Sequence, residues 1–315
     1  MKKISVIIPM YYEEEVVQEC YNKMTQVLSN IKDYEYEIIC VNDGSKDKTL
    51  SILEKIAEND KKVKVISFSR NFGHQCAVTA GLKYVTGDVV VIIDADLQDP
   101  PELIPDMLKL WEDGNEVIYG KRKTRKGESK FKLLTAKMFY NTLNALSDVE
   151  IPKDTGDFRL LDRRCVNALR KIRESERNTK SMFSWIGYKK KEVLYDRDPR
   201  VAGTTKWNYI KLIDLAIDGI TSFTTSPLRL STYIAIPTFL VLFVYFIYVI
   251  AKSCIIHEAI QAFQAIILLI LFFSGVQILL FGILGEYLGR IFKETKNRPL
   301  YLVNEYNDEK EMNDK

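Results

Sequence analysis

The sequence predicts an α/β fold with a mostly parallel sheet, and three observations carry that reading. Short, β-branched apolar runs alternate with helical stretches through the first 120 residues. Polar, chemistry-bearing residues follow directly after those runs. Charge is dense up to residue 230 and nearly absent from Ser231 to Gly285, where Lys252 and Glu258 are the only charged side chains.

The strand-like runs are Ile4–Pro9, Tyr36–Val41, Val63–Phe68 and Asp88–Ile93, and the helical stretches are 13–30, 47–59, 74–85 and 101–112. Six-residue runs rich in Val and Ile are too short for core helices and read as strands buried on both faces. Strands that alternate with helices in this way form a parallel sheet covered on both sides. Ligands of such sheets bind beyond the carboxyl ends of the strands. The chemistry is therefore expected at Pro9–Glu13, Asn42–Asp47 and Asp94–Gln98.

The chain has 315 residues, 47% hydrophobic and 28% charged, which excludes disordered, collagenous and low-complexity classes. A net charge of +3 gives no excess for binding nucleic acid. The mean hydropathy of −0.10 averages two unlike parts. Ser231–Ala251 and Ala259–Gly285 are uncharged, and a bilayer core needs about 20 apolar helical residues. Two membrane spans joined by the hairpin Lys252–Glu258 are expected, against the alternative of two buried helices. Arg229 precedes the first run, and Arg290, Lys293, Lys296 and Arg298 follow the second, which places both termini in the cytoplasm. No signal peptide is read at Met1-Lys2-Lys3. The expected organisation is a cytosolic domain over 1–230, a two-helix transmembrane hairpin over 231–289 and a cytosolic tail over 290–315, in a multi-pass protein of the cytoplasmic membrane. The five cysteines form no CxxC and no pairing with the two histidines, so they read as reduced thiols.

Two motifs carry the chemistry. In VNDGSKDKT, Asp43-Gly44-Ser45 turns the chain and Ser45 or Asp47 caps the following helix. That joint is a sufficient account by itself, but Asp43 also places a carboxylate at the open edge, where a base or ribose could donate to it. No GxGxxG is present, which counts against a dinucleotide fold. In VVVIIDADLQDPPE, Asp94 and Asp96 stand two apart at a strand end and repel unless a cation lies between them. Oxygen ligands of this kind select a hard ion, Mg2+ or Mn2+. A turn-forming role before Pro100-Pro101 accounts for Asp99 but not for Asp94 or Asp96.

A basic run follows: Lys121, Arg122, Lys123, Arg125, Lys126, Lys130 and Lys132. It reads either as a solvated face or as a site for anionic headgroups and a lipid phosphate. Amphipathic stretches near 131–146 and 207–223 read as interfacial helices, or equally as helices packed on the domain's own core. His74 stands at a helix start, where it reads as a cap or as part of a ligand pocket. Glu286 is expected to pair with Arg290.

The segments SVIIPMYYEEE, VNDGSKDKT, DADLQDPPE, GKRKTRKGES, TGDFRLLDRR and RVAGTTKW, in this order, resemble family 2 glycosyltransferases of GT-A fold that act on polyprenyl phosphate. That group includes the dolichol-phosphate mannose synthases and the bactoprenol glucosyltransferases, and its bacterial two-span branch is the nearer match. The resemblance runs to about Val303. It implies that Pro9, Tyr11, Glu13 and Asp43 cradle the nucleotide, with Asp94 near the sugar and ribose. Asp96 and Gln98 resemble the metal ligands, and Asp157 the residue usually proposed as catalytic base. Arg200, Gly203, Thr205 and Lys206 resemble the stretch near the diphosphate, and the loop holding His74 resembles part of the donor pocket. For the acceptor phosphate, Arg122 lies in the family's G-K/R-R segment, with Lys121 and Arg125 beside it. Tyr11-Tyr12 departs from the Tyr-Asn or Phe-Asn of many relatives.

The implied activity is inverting, metal-dependent transfer of a hexose from a nucleotide-sugar, UDP-glucose first, to undecaprenyl or another polyprenyl phosphate. UDP-N-acetylglucosamine and GDP-mannose are alternative donors. A flippase partner and a homo-oligomer are further implications. Two rivals of other classes are a phosphatase of the haloacid dehalogenase type, whose Asp-x-Asp-x-Thr is broken by Gln98, and a membrane-anchored scaffold without activity.

Overall fold

In a computed structural model of the chain, the described residues are 1–122, 155–174, 177, 179–196, 237, 240, 244, 247 and 262–307. Eight strands form one sheet: β1 (Lys2–Met10), β2 (Tyr34–Asn42), β3 (Val63–Phe68), β4 (Val89–Ile92), β5 (Val117–Arg122), β6 (Thr155–Asp162), β7 (Lys190–Tyr195) and β8 (Val303–Tyr306), in the order β7-β5-β6-β4-β1-β2-β3-β8. The four strands read from sequence form its parallel centre, β4-β1-β2-β3. β6 runs against both β4 and β5, and β8 against β3.

The helices are α1 (Val17–Ser29), α2 (Thr49–Asn59), α3 (His74–Tyr84), α4 (Ile104–Glu112, after a short 3-10 turn at Pro101–Leu103), α5 (Arg163–Lys171), α6 (Thr179–Trp185) and α7 (Ala262–Thr295). Alternation along the strands divides the core into two layers. Ile4, Val6 and Ile8 pack with α1, α2 and α4, while Ile7 packs with α3, α5 and α6. Removing such side chains from water is worth about 1.5–3 kcal/mol each. Close approach of α3 to the sheet needs Gly81, since a Cβ there would sit 2.3 Å from Ile7 Cγ2.

Residues 303–306, in the stretch read as a tail, supply strand β8. Asn307 clamps it to β3: its N–H donates to Val65 O at 3.3 Å and its Oδ1 accepts from Val65 N–H at 2.7 Å. Tyr301 stacks on Phe68 with ring centroids 4.9 Å apart.

The expectation of a two-span membrane protein is corrected here. Among the described residues, no helix is long and apolar enough to cross a membrane. From Ala262 on, the run read as the second span lies in α7, a 34-residue helix that does not stop with the apolar residues but continues through Glu286, Arg290, Lys293 and Glu294. Counting uncharged residues measured the length of an apolar stretch, and helix and stretch do not coincide. Glu286 and Arg290 pair at 3.3 Å, as expected. The first run, Ser231–Ala251, lies outside the described residues but for 237, 240, 244 and 247, and the stretches 131–146 and 207–223 lie wholly outside them. The chain divides into two compact units, the sheet with α1 to α6 in one and α7 in the other.

Candidate active site

Strand direction gathers the site. β1 to β5 and β7 all end on one edge of the sheet, and β6, being reversed, begins there. Asp94, two residues past β4, therefore meets Asp157, the third residue of β6. His74, the first residue of α3, approaches from the turn after β3. Ligand atoms of His74, Asp94 and Asp157 all lie within 4.8 Å of one another. His74 Nε2 is 2.9 Å from Asp94 Oδ1, and Asp157 Oδ1 is buried with no hydrogen-bond partner among the described residues. Two carboxylates and an imidazole at this separation, with one carboxylate oxygen left over, match the donor set of a divalent cation.

The DADLQD turn is shaped by alternation. Ala95, Leu97 and Asp99 are buried at 3%, 4% and 2% exposure, while Asp94, Asp96 and Gln98 are half-buried. Leu97 has φ of 54°, which turns the chain sharply. Asp96 Oδ1 accepts from Gln98 N–H at 3.2 Å, bracing the turn. Asp96 stands outside the three-residue group, so the first and not the second Asp of the motif is brought to Asp157.

Asp43 has a task that its position alone did not reveal. Its Oδ1 accepts from Phe72 N–H at 2.7 Å, and its Oδ2 from Gly73 N–H at 2.9 Å and Asn71 Nδ2 at 3.0 Å. Burial pushes this carboxyl up from its ordinary range, with the two backbone donors opposing. Asp43 thus fixes the loop that delivers His74. Gly44, at φ +65°, lies against the same loop, and a Cβ there would be 2.3 Å from the Arg70 carbonyl carbon.

Tyr11 and Tyr12 leave β1 as an edge-to-face pair with centroids 4.5 Å apart, both partly exposed at the same edge. Tyr12, at φ 57°, donates its N–H to Ser45 Oγ at 3.0 Å, and Glu13 N–H donates to Thr49 Oγ1 at 3.0 Å. The carbonyl of Glu13 accepts from Val16 and Val17 N–H and opens α1. Pro9 is within β1, opposite Val41.

The basic group expected at the acceptor is split. Lys121 pairs with Glu192 of β7 at 2.7 Å. Arg122 ends β5 opposite Tyr195 and has a buried Nε with no hydrogen-bond partner among the described residues. Tyr195 donates its hydroxyl to the buried Asp99. Burial, then Asp99, push the Tyr195 phenol up, and Arg122 opposes. Gly156 lies between them, its missing Cβ 3.4 Å from Asp99 Oδ2 and 3.7 Å from Arg122 Nη2. Arg125, Arg200 and Lys206, with Gly203 and Thr205, lie outside the described residues.

The sequence reading missed His74 as a partner of Asp94, and it missed the Asp99–Tyr195 pair. A histidine opening a helix on the strand-end edge was the available signal for the first. Nothing local marked Tyr195, whose strand joins the sheet through β5.

A mostly parallel sheet with carboxylates at its carboxyl edge and a reversed strand bringing Asp157 to Asp94 fits the GT-A fold of glycosyltransferases. Residues 5–170 match Glycosyl transferase family 2, and the chain belongs to that family. It is similar to the uncharacterized glycosyltransferase sll0501 of Synechocystis sp., 44% identical over 96% of this chain and 95% of that protein. It is also similar to the prophage bactoprenol glucosyl transferase homolog of Escherichia coli K12, 41% identical over 96% of this chain and 98% of that protein. Among solved structures, mannosyltransferase PcManGT from Pyrobaculum calidifontis, in complex with GDP-Man and Mn2+, aligns with TM-score 0.46 at 18% identity, covering 67% of this chain and 59% of that one.

Proposed function

We propose that this glycosyltransferase moves a hexosyl unit from a nucleotide-sugar, UDP-glucose first, to the phosphate of a polyprenyl phosphate. The observation that carries the reading is the meeting of Asp94, Asp157 and His74 at the carboxyl edge of the sheet. The acceptor is supported by relatives named bactoprenol glucosyl transferase that are 40–41% identical over 96% of the chain.

In this reaction a phosphate oxygen bonds to the anomeric carbon as the bond from that carbon to the diphosphate oxygen breaks. The electron pair leaves with the nucleoside diphosphate. A single displacement inverts the anomeric centre. His74, Asp94 and Asp157 would hold a Mg2+ or Mn2+ ion, with Asp96 and Gln98, the ligands that the resemblance implies, on the adjoining turn. When bound, such an ion supplies positive charge where the leaving diphosphate becomes more negative. Tyr11, with Pro9, Glu13 and Asp43 behind it, forms the nucleotide side. Arg122, with its unpartnered Nε, faces the acceptor phosphate, and Arg125, Arg200 and Lys206 add charge to the two phosphate ends. A phosphate monoester has its second pKa near about 6 and is mostly a dianion at neutral pH. Asp157 therefore orients reactants and does not need to remove a proton.

The test offers the full-length protein undecaprenyl phosphate and a panel of radiolabelled UDP-glucose, UDP-N-acetylglucosamine and GDP-mannose. Label from UDP-glucose is expected in the chloroform-soluble fraction. Label from another donor would replace the sugar, and label found only as free sugar would overturn the transfer.

A further inference from the structure

The opposite edge of the sheet, where β1, β2 and β3 begin, holds a half-open cavity of about 560 Å3. Its lining includes Lys3, Lys32, Lys61, Lys62 and Lys64, against only two carboxylates, Glu35 and Glu37. Nine residues of β1 separate it from the edge described above, a distance on the order of 25–30 Å at strand rise.

The two carboxylates do not neutralise the five ammonium groups equally. Glu37 is buried and already matched: it accepts from Lys3 Nζ at 2.8 Å, Ser5 Oγ at 2.6 Å and Thr86 N–H at 2.7 Å. Lys64, its side chain only 13% exposed, stands 3.5 Å from the same carboxylate. Lys62 lies over the Tyr36 ring, 4.1 Å from its centroid. Lys32 and Lys61 are exposed and make no ion pair among the described residues. Glu35, also exposed, is the one remaining negative side chain in the lining. Concave walls concentrate the field of such cations, so the cavity attracts anions more strongly than a flat surface bearing the same lysines.

We propose that this cavity is a second binding site, for a small phosphorylated molecule of nucleotide size, separate from the site of transfer. Its volume falls in the range of small-molecule pockets. Lys32 and Lys61 would meet the phosphate groups, and the Glu37 network would hold Lys3 and Lys64 in the wall behind them. The strands that begin at this cavity end at the catalytic edge, so the site and the reaction share β1 and β2.

The test uses lysine protection on the full-length protein. Limited acetylation with and without inorganic pyrophosphate, read peptide by peptide by mass spectrometry, should show Lys32 and Lys61 protected at least fivefold. Lys109, exposed and outside the lining, should be unaffected. Calorimetric titration of pyrophosphate should lose tenfold or more in affinity in Lys32→Ala/Lys61→Ala and retain affinity in Lys32→Arg/Lys61→Arg, with sugar transfer unchanged in both. Equal acetylation with and without pyrophosphate, or equal affinity in the alanine variant, would overturn the site. Because protection is read at these lysines, the result stands whether or not the proposed donor and acceptor are correct.

Discussion

His74 Nε2 stands 2.9 Å from Asp94 Oδ1, joining the start of α3 to the loop after β4. The contact is built from behind by Asp43, whose carboxylate binds Asn71, Phe72 and Gly73 and so sets where α3 begins. A ligand set fixed by a neighbouring element gives Asp94 one orientation, and partners of this kind alter metal affinity or activity about 10–100-fold when removed. His74→Ala should lower transfer by about that factor and weaken Mn2+ binding measured by electron paramagnetic resonance, while His74→Gln recovers part of both. Unchanged Mn2+ affinity in His74→Ala would remove His74 from the site.

Asp157 tests whether the reaction needs a base. Asp157→Asn is expected to lower kcat at every pH while keeping the shape of the pH–rate profile, because the acceptor phosphate carries its own charge. A profile that loses one limb in the variant would assign Asp157 to proton removal instead.

Tyr195 and Asp99 form a buried pair behind Arg122. Tyr195→Phe leaves a buried carboxylate short of a donor, which costs about 1–3 kcal/mol. Thermal unfolding should report that loss. The KM for polyprenyl phosphate should rise while the KM for the nucleotide-sugar stays constant, if Arg122 meets the acceptor phosphate as proposed. Equal changes in both KM values would place Arg122 elsewhere.

Glu37 gives the sheet an acid limit. Burial alone would raise its carboxyl, but hydrogen bonds from Lys3, Ser5 and the Thr86 amide outweigh burial and hold it at about 2, against an ordinary 4.5. A carboxyl lowered in the folded state adds stability that is complete above its unfolded value and disappears as pH falls toward the folded one. The shift corresponds to about 3 kcal/mol. Between pH 4.5 and 2 the wild-type unfolding temperature should therefore fall more steeply than that of Glu37→Gln. Parallel slopes would contradict the network.

The legible part of this fold is the part written in local pattern. Val63–Phe68 forms a strand with the bounds its composition gives, and the other three central strands differ from their expected limits by one or two residues. Asp94 and Asp157 were legible as residues, the first from its place after an apolar strand, the second from family resemblance. Their meeting was not, because it depends on β6 running antiparallel to β4 across 60 residues of chain. Strand β8 was hidden for the same reason: Val303–Tyr306 is short and polar, and pairs with a strand far away in sequence. Asp43 was read as an open carboxylate because no pattern shows that the chain after β3 folds back onto it. The apolar run taken up by α7 misled in the opposite direction, since a long uncharged stretch gives neither the ends of a helix nor its surroundings.

The most direct test of the account measures transfer from UDP-glucose to undecaprenyl phosphate by wild type, Asp94→Asn and Asp157→Asn, each with saturating Mn2+ and after chelation. The account predicts lipid-linked glucose from the wild type with Mn2+, a loss of about 100-fold or more in each variant, and none from any of them after chelation. Transfer at the wild-type rate in Asp94→Asn, or undiminished transfer by chelated wild type, would contradict it.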